Sequence, residues 1–226
     1  MTSEHSSGYE FAEHVPLRPV PPGTSVLVTE PAIAGTHRSV LSLLIGSEFE
    51  GTLFLTTGLT GREVLRIFED CGGRYTKNRM AVIDSSEDGS EAPSLNIRSA
   101  DGPGDLLGIT LEFSSLYEQL NSSNIRRVRT GCYSLTPVVE AVDDFSALYR
   151  FLHTVTGRIE SAGGLGLFVV DPEQHSEATI RSLEQPFEGR IDIHAVDPDA
   201  GEYELEPVGL ENQPSGRHRF TIQGDE

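Results

Sequence analysis

The loop after the first apolar run has the spacing of a phosphate-binding loop, between a segment that predicts a strand and one that predicts a helix. Such a loop needs glycines whose backbone N–H groups wrap the phosphates, a lysine that neutralises them and a hydroxyl that holds magnesium. Aligned with G-x-x-x-x-G-K-S/T, the chain has Glu30 at the first glycine and Gly35 at the second. Thr36 replaces the lysine, and His37 replaces the magnesium ligand. With Arg38 as the nearest cation, the pattern predicts a vestigial loop without ordinary ATP and magnesium binding.

A second group of polar residues follows a near-continuous apolar run. Asp171, Glu173 and His175 cluster at the expected carboxyl end of a buried strand, where sites of α/β proteins form. The Asp-x-x-x-His spacing suits a metal ion, which would indicate a metal-dependent hydrolase. The other interpretation is that Asp171 starts a turn and that His175 or Ser176 caps the next helix. We expect this structural role and no bound metal. Two further histidines could join such a site in space: His37 and His153.

Two short basic runs could bind a nucleotide or an acidic partner. Such charges more often balance an acidic surface, and this is the interpretation we favour. The first run is Arg126, Arg127 and Arg129, and the second is Arg217, His218 and Arg219.

The overall charge is strongly acidic, with 35 Asp and Glu against 17 Lys and Arg and a formal net charge of -18. Lys77 is the only lysine. Acid excess with almost no lysine predicts a halophilic surface, since strong salt screens the self-repulsion of such a charge. The same charge opposes nucleic-acid binding, which depends on cations that neutralise phosphates.

The compartment is predicted from what the sequence lacks. No stretch approaches the roughly 20 apolar residues that a transmembrane helix needs. The polar start has neither the basic residues nor the apolar run of a secretory signal. Cys71 and Cys132 lie far apart and predict neither a disulfide framework nor a zinc site. We therefore expect a cytoplasmic protein without a membrane partner.

Apolar periodicity predicts strands that alternate with helices and then strands that follow strands. The predicted strands are 25–29, 52–57, 80–84, 95–98, a part of 125–134, 165–171, 190–196, 202–208 and 217–222. The predicted helices contain Val40 to Leu44 and cover 61–71, 104–120, 143–161 and 177–187. This order indicates an α/β fold with a mostly parallel sheet flanked by helices and antiparallel strands at the C-terminal side. We expect a flexible acidic, proline-rich tail over residues 1–22 and a single domain over residues 23–224.

Three segments carry a resemblance to a known family. They are PPGTSVLVTEPAIAGTHRSVLSLLIG, GTLFLTTGLTGREVLRIFEDCGG, and the stretch from RRVRTGCYSLT to GLGLFVVDPEQH. In these segments the chain resembles the KaiC branch of the RecA-like ATPases, and more narrowly haloarchaeal RecA/KaiC-like proteins of unassigned function. The resemblance implies a RecA-like sheet over most of residues 20–222, with the phosphate loop after its first strand.

The departures from that family bear on activity. The resemblance would place catalytic glutamates at residues 57–60, where the chain reads Thr-Gly-Leu-Thr. It would place a magnesium-binding aspartate at Tyr133. Because phosphoryl transfer depends on positioning and charge neutralisation, these losses predict a protein without ATPase activity. We expect a non-catalytic scaffold that binds a protein partner or itself in regulation or signalling. The alternatives are a nucleotide-binding protein with an atypical loop and the metal-dependent hydrolase.

Overall fold

A computed structural model describes residues 8–31, 38–121 and 125–222. The strands are β1 (Thr24–Thr29), β2 (Glu50–Thr56), β3 (Met80–Asp84), β4 (Ile97–Ser99), β5 (Arg127–Cys132), β6 (Leu165–Val170), β7 (Gly189–Asp197), β8 (Glu202–Val208) and β9 (His218–Thr221). The helices are α1 (Arg38–Leu43), α2 (Gly61–Asp70), α3 (Leu106–Asn121), α4 (Thr136–Ala141), α5 (Phe145–Ser161) and α6 (Glu177–Leu183). Two short 3₁₀ turns cover Pro93–Leu95 and Pro172–Gln174.

All nine strands join one sheet in the order β4-β3-β2-β5-β6-β1-β7-β8-β9. The strands from β4 to β7 pair in parallel, and β8 and β9 extend the sheet in antiparallel fashion beyond β7. The predicted fold class is thereby confirmed. Every residue of β6 is buried, as expected for an apolar strand covered on both faces.

Helices cover both faces of the sheet, so the protein has two cores. On the first face, α1 and α2 pack with the inner side of β7, β8 and β9. On the second face, α3 and α5 pack over the central strands together with α4 and α6. The core-facing side of α5 is buried in this second core at Leu148, Leu152, Val155 and Ile159. Among the described residues, no helix is long and apolar enough to cross a membrane.

Residues 8–22, here called the N-terminal strap, pack against the sheet. Tyr9 is fully buried, pairs with Val20 in an antiparallel bridge, and donates its hydroxyl to the carbonyl oxygen of Gly163 at 3.0 Å. This differs from the flexible tail expected over residues 1–22, of which residues 1–7 lie outside the described part. Isolated apolar anchors in a polar, proline-rich segment make no periodic pattern, so the sequence gives no signal of this packing.

A buried ion pair connects the strap to the sheet. Arg129 on β5 is 1% exposed, and its Nε lies 2.7 Å from Oε2 of Glu50 on β2. Its other nitrogens donate to the carbonyl oxygens of Leu43 and Glu10. The guanidinium also lies over the Tyr9 ring, 5.3 Å from the ring centre. Arg129 therefore joins β2, β5, the end of α1 and the strap in one polar network.

One helix has no counterpart in the prediction. α4 spans only Thr136–Ala141, with Pro137 in its first turn. A helix of fewer than two turns shows no apolar periodicity, and Pro137 looks like a breaker in sequence. Helix α6 ends at Leu183, earlier than the predicted residue 187, because residues 184–188 form the turn that leads into β7.

Candidate functional site

The carboxyl ends of the parallel strands are the edge at which this sheet can form a site. The chain leaves β1 into α1 on the first face and leaves the neighbouring β6 into α6 on the second face. Ligands of open α/β sheets bind in the crevice at such a switch point. Glu30 directly follows β1 and Asp171 directly follows β6, so these two carboxylates border the crevice.

The predicted vestigial phosphate loop belongs to this crevice. Gly35, Thr36 and His37 lie outside the described residues, and Arg38 is the described member. Arg38 begins α1, and its Nη2 donates to the carbonyl oxygen of Asp70 at the end of α2, at 3.3 Å. Its Nε is buried without a hydrogen-bond partner in the described part of the chain. Arg38 thus follows the loop in sequence and contacts the end of α2.

Glu30 occupies the position of the first glycine of a phosphate loop. The residue is 4% exposed, and its Oε1 accepts a hydrogen bond from the hydroxyl of Ser39 on α1. A buried carboxylate repels phosphate oxygens strongly, because little water screens the two charges. The contact with Ser39 shows what the glutamate does instead: it ties the end of β1 to α1.

The positions of the expected catalytic carboxylates hold side chains with structural contacts. Tyr133 directly follows β5, is 4% exposed, and its backbone N–H donates to the carbonyl oxygen of Leu55 at 2.8 Å. Thr57 donates its hydroxyl to the carbonyl oxygen of Ser134 at 2.7 Å. A phenol does not coordinate magnesium as a carboxylate does. These residues join β2 to the segment after β5.

Asp84 is a buried carboxylate at this edge that the sequence analysis did not single out. It ends β3 and is 2% exposed. Its Oδ2 accepts the backbone N–H of Gly61 at the start of α2, at 2.7 Å. Its Oδ1 accepts the hydroxyl of Ser86, also at 2.7 Å. The signal in the sequence was an aspartate at the end of a fully apolar strand.

Asp192 is a second carboxylate that the sequence analysis missed, and it lies on β7 opposite Thr29 of β1. It accepts hydrogen bonds from the Thr29 hydroxyl and from Nε of Arg190, the latter at 2.6 Å. Arg190 also pairs with Glu184, so its guanidinium is held between two acids. These residues line a cleft of about 360 Å³ that His175 also borders.

The structure brings Asp171 and His175 to the same hydroxyl, that of Thr136 on α4. The Asp171 N–H donates to Thr136 Oγ1 at 3.0 Å, and Nε2 of His175 lies 3.2 Å from the same atom. The Asp171 carboxylate accepts the N–H of Glu173 at 2.9 Å and the amide nitrogen of Gln174 at 2.7 Å. These contacts are those of a turn cap, and Ser176 caps α6.

Of the two other histidines proposed for a metal site, the described one, His153, lies elsewhere. His153 is on α5 with its ring 4.4 Å from that of Tyr149, and it lines a separate cavity with Gln185 and Glu188. His37 is outside the described residues. Across the ranges that the structure describes, no three His, Cys, Asp or Glu side chains come close enough to hold a metal ion.

Both cysteines are unsuited to thiolate chemistry. Cys71 and Cys132 are free and buried. Burial raises the pKa of the Cys132 thiol to about 12 and also raises the pKa of Cys71. A reactive cysteine needs a lowered pKa and access to its substrate, so these two are core residues.

The two basic runs serve the structure. In the first, Arg129 is buried in its ion pair, and Arg127 donates to the carbonyl oxygen of Gly8 at 2.7 Å. In the second, Arg217 and Arg219 pair with acids of the neighbouring strand β8 on the exposed face. These contacts are those of charges that balance an acidic chain.

One protein family is similar to this chain. Its model, described as a Family of unknown function (DUF7504), matches residues 23–193. The matched region runs from the start of β1 into β7 and includes the whole crevice, while β8 and β9 follow it. A comparison with curated proteins gives no match.

Proposed function

The chain belongs to this family of unknown function, and we propose that it is a non-catalytic scaffold of RecA/KaiC-like architecture. In this proposal it acts in regulation or signalling by binding another protein or a second copy of itself. The mostly parallel sheet with helices on both faces, and with antiparallel strands beyond β7, is the architecture that the family resemblance implies.

The observation that carries the proposal is that the buried and half-buried carboxylates described at the carboxyl edge already accept hydrogen bonds from the chain itself. They are Glu30, Asp84, Asp171 and Asp192. Similarly, the hydroxyl and N–H of Thr60 donate to the carboxylate of Glu63 and lower its pKa. A general base or metal ligand must face a substrate, whereas these groups face helix starts, turns and an arginine.

The composition supports a salt-rich cytoplasm as the setting. With a net charge of -18 on 226 residues, repulsion between like charges destabilises a compact fold in dilute buffer, and strong salt screens that repulsion. Arginine supplies all but one of the lysine and arginine cations, and several arginines are held in ion pairs, some of them buried and some exposed.

A nucleotide-binding protein with an atypical loop is the second candidate, and one observation favours it. The buried Nε of Arg38, next to the loop after β1, has no partner among the described residues. A guanidinium donates readily to phosphate oxygens, so a bound phosphate would satisfy this nitrogen. Opposing this candidate, the buried Glu30 carboxylate lies at the start of the same loop.

Calorimetric titration with Mg-ATP in strong salt separates the two candidates. For the scaffold we expect no saturable heat from the wild-type protein and no upward shift of its Tm. The variants Gly35→Arg and Arg38→Ala should behave like wild type. Saturable ATP binding that either substitution abolishes would overturn the scaffold in favour of the nucleotide-binding protein.

A further inference from the structure

Helix α3 presents leucines to solvent on the side opposite the core. Leu107 is 72% exposed and Leu111 is 62% exposed, and both lie one turn apart on the same side of the helix. The core-facing side of α3 is formed by other residues, including Ile109, Phe113 and Leu116. The packing of α3 in the core therefore does not use these two leucines, and their apolar surface is accessible to a partner.

A third exposed apolar side chain begins the neighbouring helix. Phe145 is the first residue of α5 and is 40% exposed. α3 packs alongside α5. Both helices begin near the end of α4, since a Cβ placed on Gly104 would lie 3.5 Å from Cβ of Ala141. We call Leu107, Leu111 and Phe145 the α3–α5 face.

The two segments that contain this face have acidic residues but no basic ones. Residues 100–121 and 133–149 contain no lysine, arginine or histidine. Their acidic residues are Asp101, Asp105, Glu112, Glu118, Glu140, Asp143 and Asp144. Arg98 pairs with Glu112, and Arg150 reaches Asp144 at 3.7 Å, so two of these charges are partly neutralised. The remaining acids flank the three apolar side chains in sequence, and we call them the acidic border of the face.

The charge of this border favours one kind of binding partner over the others. A second copy of this chain would bring the same acids against each other, and like charges that face one another across an interface oppose its formation. The chain's own terminal segments fit no better, because residues 1–7 and 223–226 contain Glu4, Asp225 and Glu226 but no lysine or arginine. A basic segment with apolar residues on one side matches both the apolar side chains and the acidic border of the face.

We propose that the α3–α5 face docks a basic amphipathic helix of another protein, with its apolar side on Leu107 and Leu111 and its cations on the acidic border. This inference rests on the scaffold function proposed above, and it specifies the chemistry of the partner that the scaffold binds. Helix-in-groove recognition of this kind uses apolar anchors spaced one turn apart.

The test uses a labelled synthetic peptide with leucines at positions i, i+3, i+4 and i+7 and lysines elsewhere, followed by fluorescence anisotropy. Salt at about 0.15 M keeps the Debye length near 8 Å, so charges in contact still attract while attraction from more distant acids of the chain is screened. We expect Leu107→Gln with Leu111→Gln to weaken binding by about tenfold or more. Phe49→Gln is the matched control: Phe49 is 60% exposed outside the face, so binding should be unchanged.

Three results would overturn the proposal. The first is equal peptide binding by the double leucine variant and the wild type. The second is equally tight binding of a peptide with glutamates in place of the lysines. The third is a dimer in sedimentation that the double leucine variant abolishes, which would make a second copy the occupant. ATP binding in the calorimetric test would end the scaffold function without changing these readouts, so the two failures are distinguishable.

Discussion

Replacing Arg129 by alanine is expected to lower the free energy of unfolding by about 3–5 kcal/mol. The substitution leaves the Glu50 carboxylate, whose side chain is 10% exposed, without the cation that now lies 2.7 Å away. It also removes the donors to the carbonyl oxygens of Leu43 and Glu10. Urea denaturation followed by circular dichroism measures the loss, because the shift in midpoint reports stability when the slope is unchanged.

The matched control for Arg129 is an exposed pair on the same sheet. Arg219 on β9 lies 3.1 Å from Glu204, but its side chain is 72% exposed. Exposed pairs contribute about 0–1 kcal/mol, so Arg219→Ala should change the stability little. Similar losses in the two variants would show that the Arg129 network does not have the buried role described for it.

Replacing Tyr9 by alanine is expected to cost about 3–5 kcal/mol of unfolding free energy, the range for large aromatic side chains removed from a core. Tyr9 is fully buried against the sheet and anchors the N-terminal strap there. Two guanidinium groups, of Arg127 and Arg129, lie over its ring. Limited proteolysis should then cut within residues 8–22 faster than in wild type. An unchanged midpoint and cleavage rate would mean that the strap is not held by Tyr9.

Tyr9→Phe isolates the hydroxyl of this residue. The hydroxyl is shared between the carbonyl oxygens of Gly163 and Val128, at 3.0 and 3.2 Å, so its loss should cost roughly 1 kcal/mol at neutral pH. Burial raises the pKa of Tyr9 above that of an unfolded tyrosine. Above about pH 10 the unfolded chain therefore loses a proton that the folded chain keeps, and stability falls as pH rises. The stability of the phenylalanine variant should fall less steeply as pH rises. Part of the fall should remain, because burial also raises the pKa of Tyr117, to about 12.

The sequence predicted the sheet well because apolar runs determine buried parallel strands directly. β3 and β8 have the predicted bounds, and β6 was identified from its uninterrupted apolar residues. α4 and the strap were not predicted, because a six-residue helix and single anchors such as Tyr9 leave no period in the sequence. Short elements are specified by their contacts with the rest of the fold.

The sequence predicted where the candidate site lies in the fold, but it predicted only some of the residues that form the site. An aspartate after β6 pointed correctly to the carboxyl edge, and Asp171 lies there. The sequence analysis favoured a turn start at Asp171 over a metal ligand, and the Asp171 carboxylate does accept the N–H of Glu173 in such a turn. Asp192 was missed because it lies within β7 and meets Thr29 only through strand pairing.

Phosphate release from Mg-ATP in strong salt, measured for the wild type beside Asp84→Asn, tests most directly whether the carboxyl edge is catalytic. Asp84 is a buried carboxylate at that edge and would be the strongest candidate for a general base. The scaffold account predicts release no faster than in buffer for both proteins. Turnover by the wild type that Asp84→Asn abolishes, with the variant still folded, would contradict it.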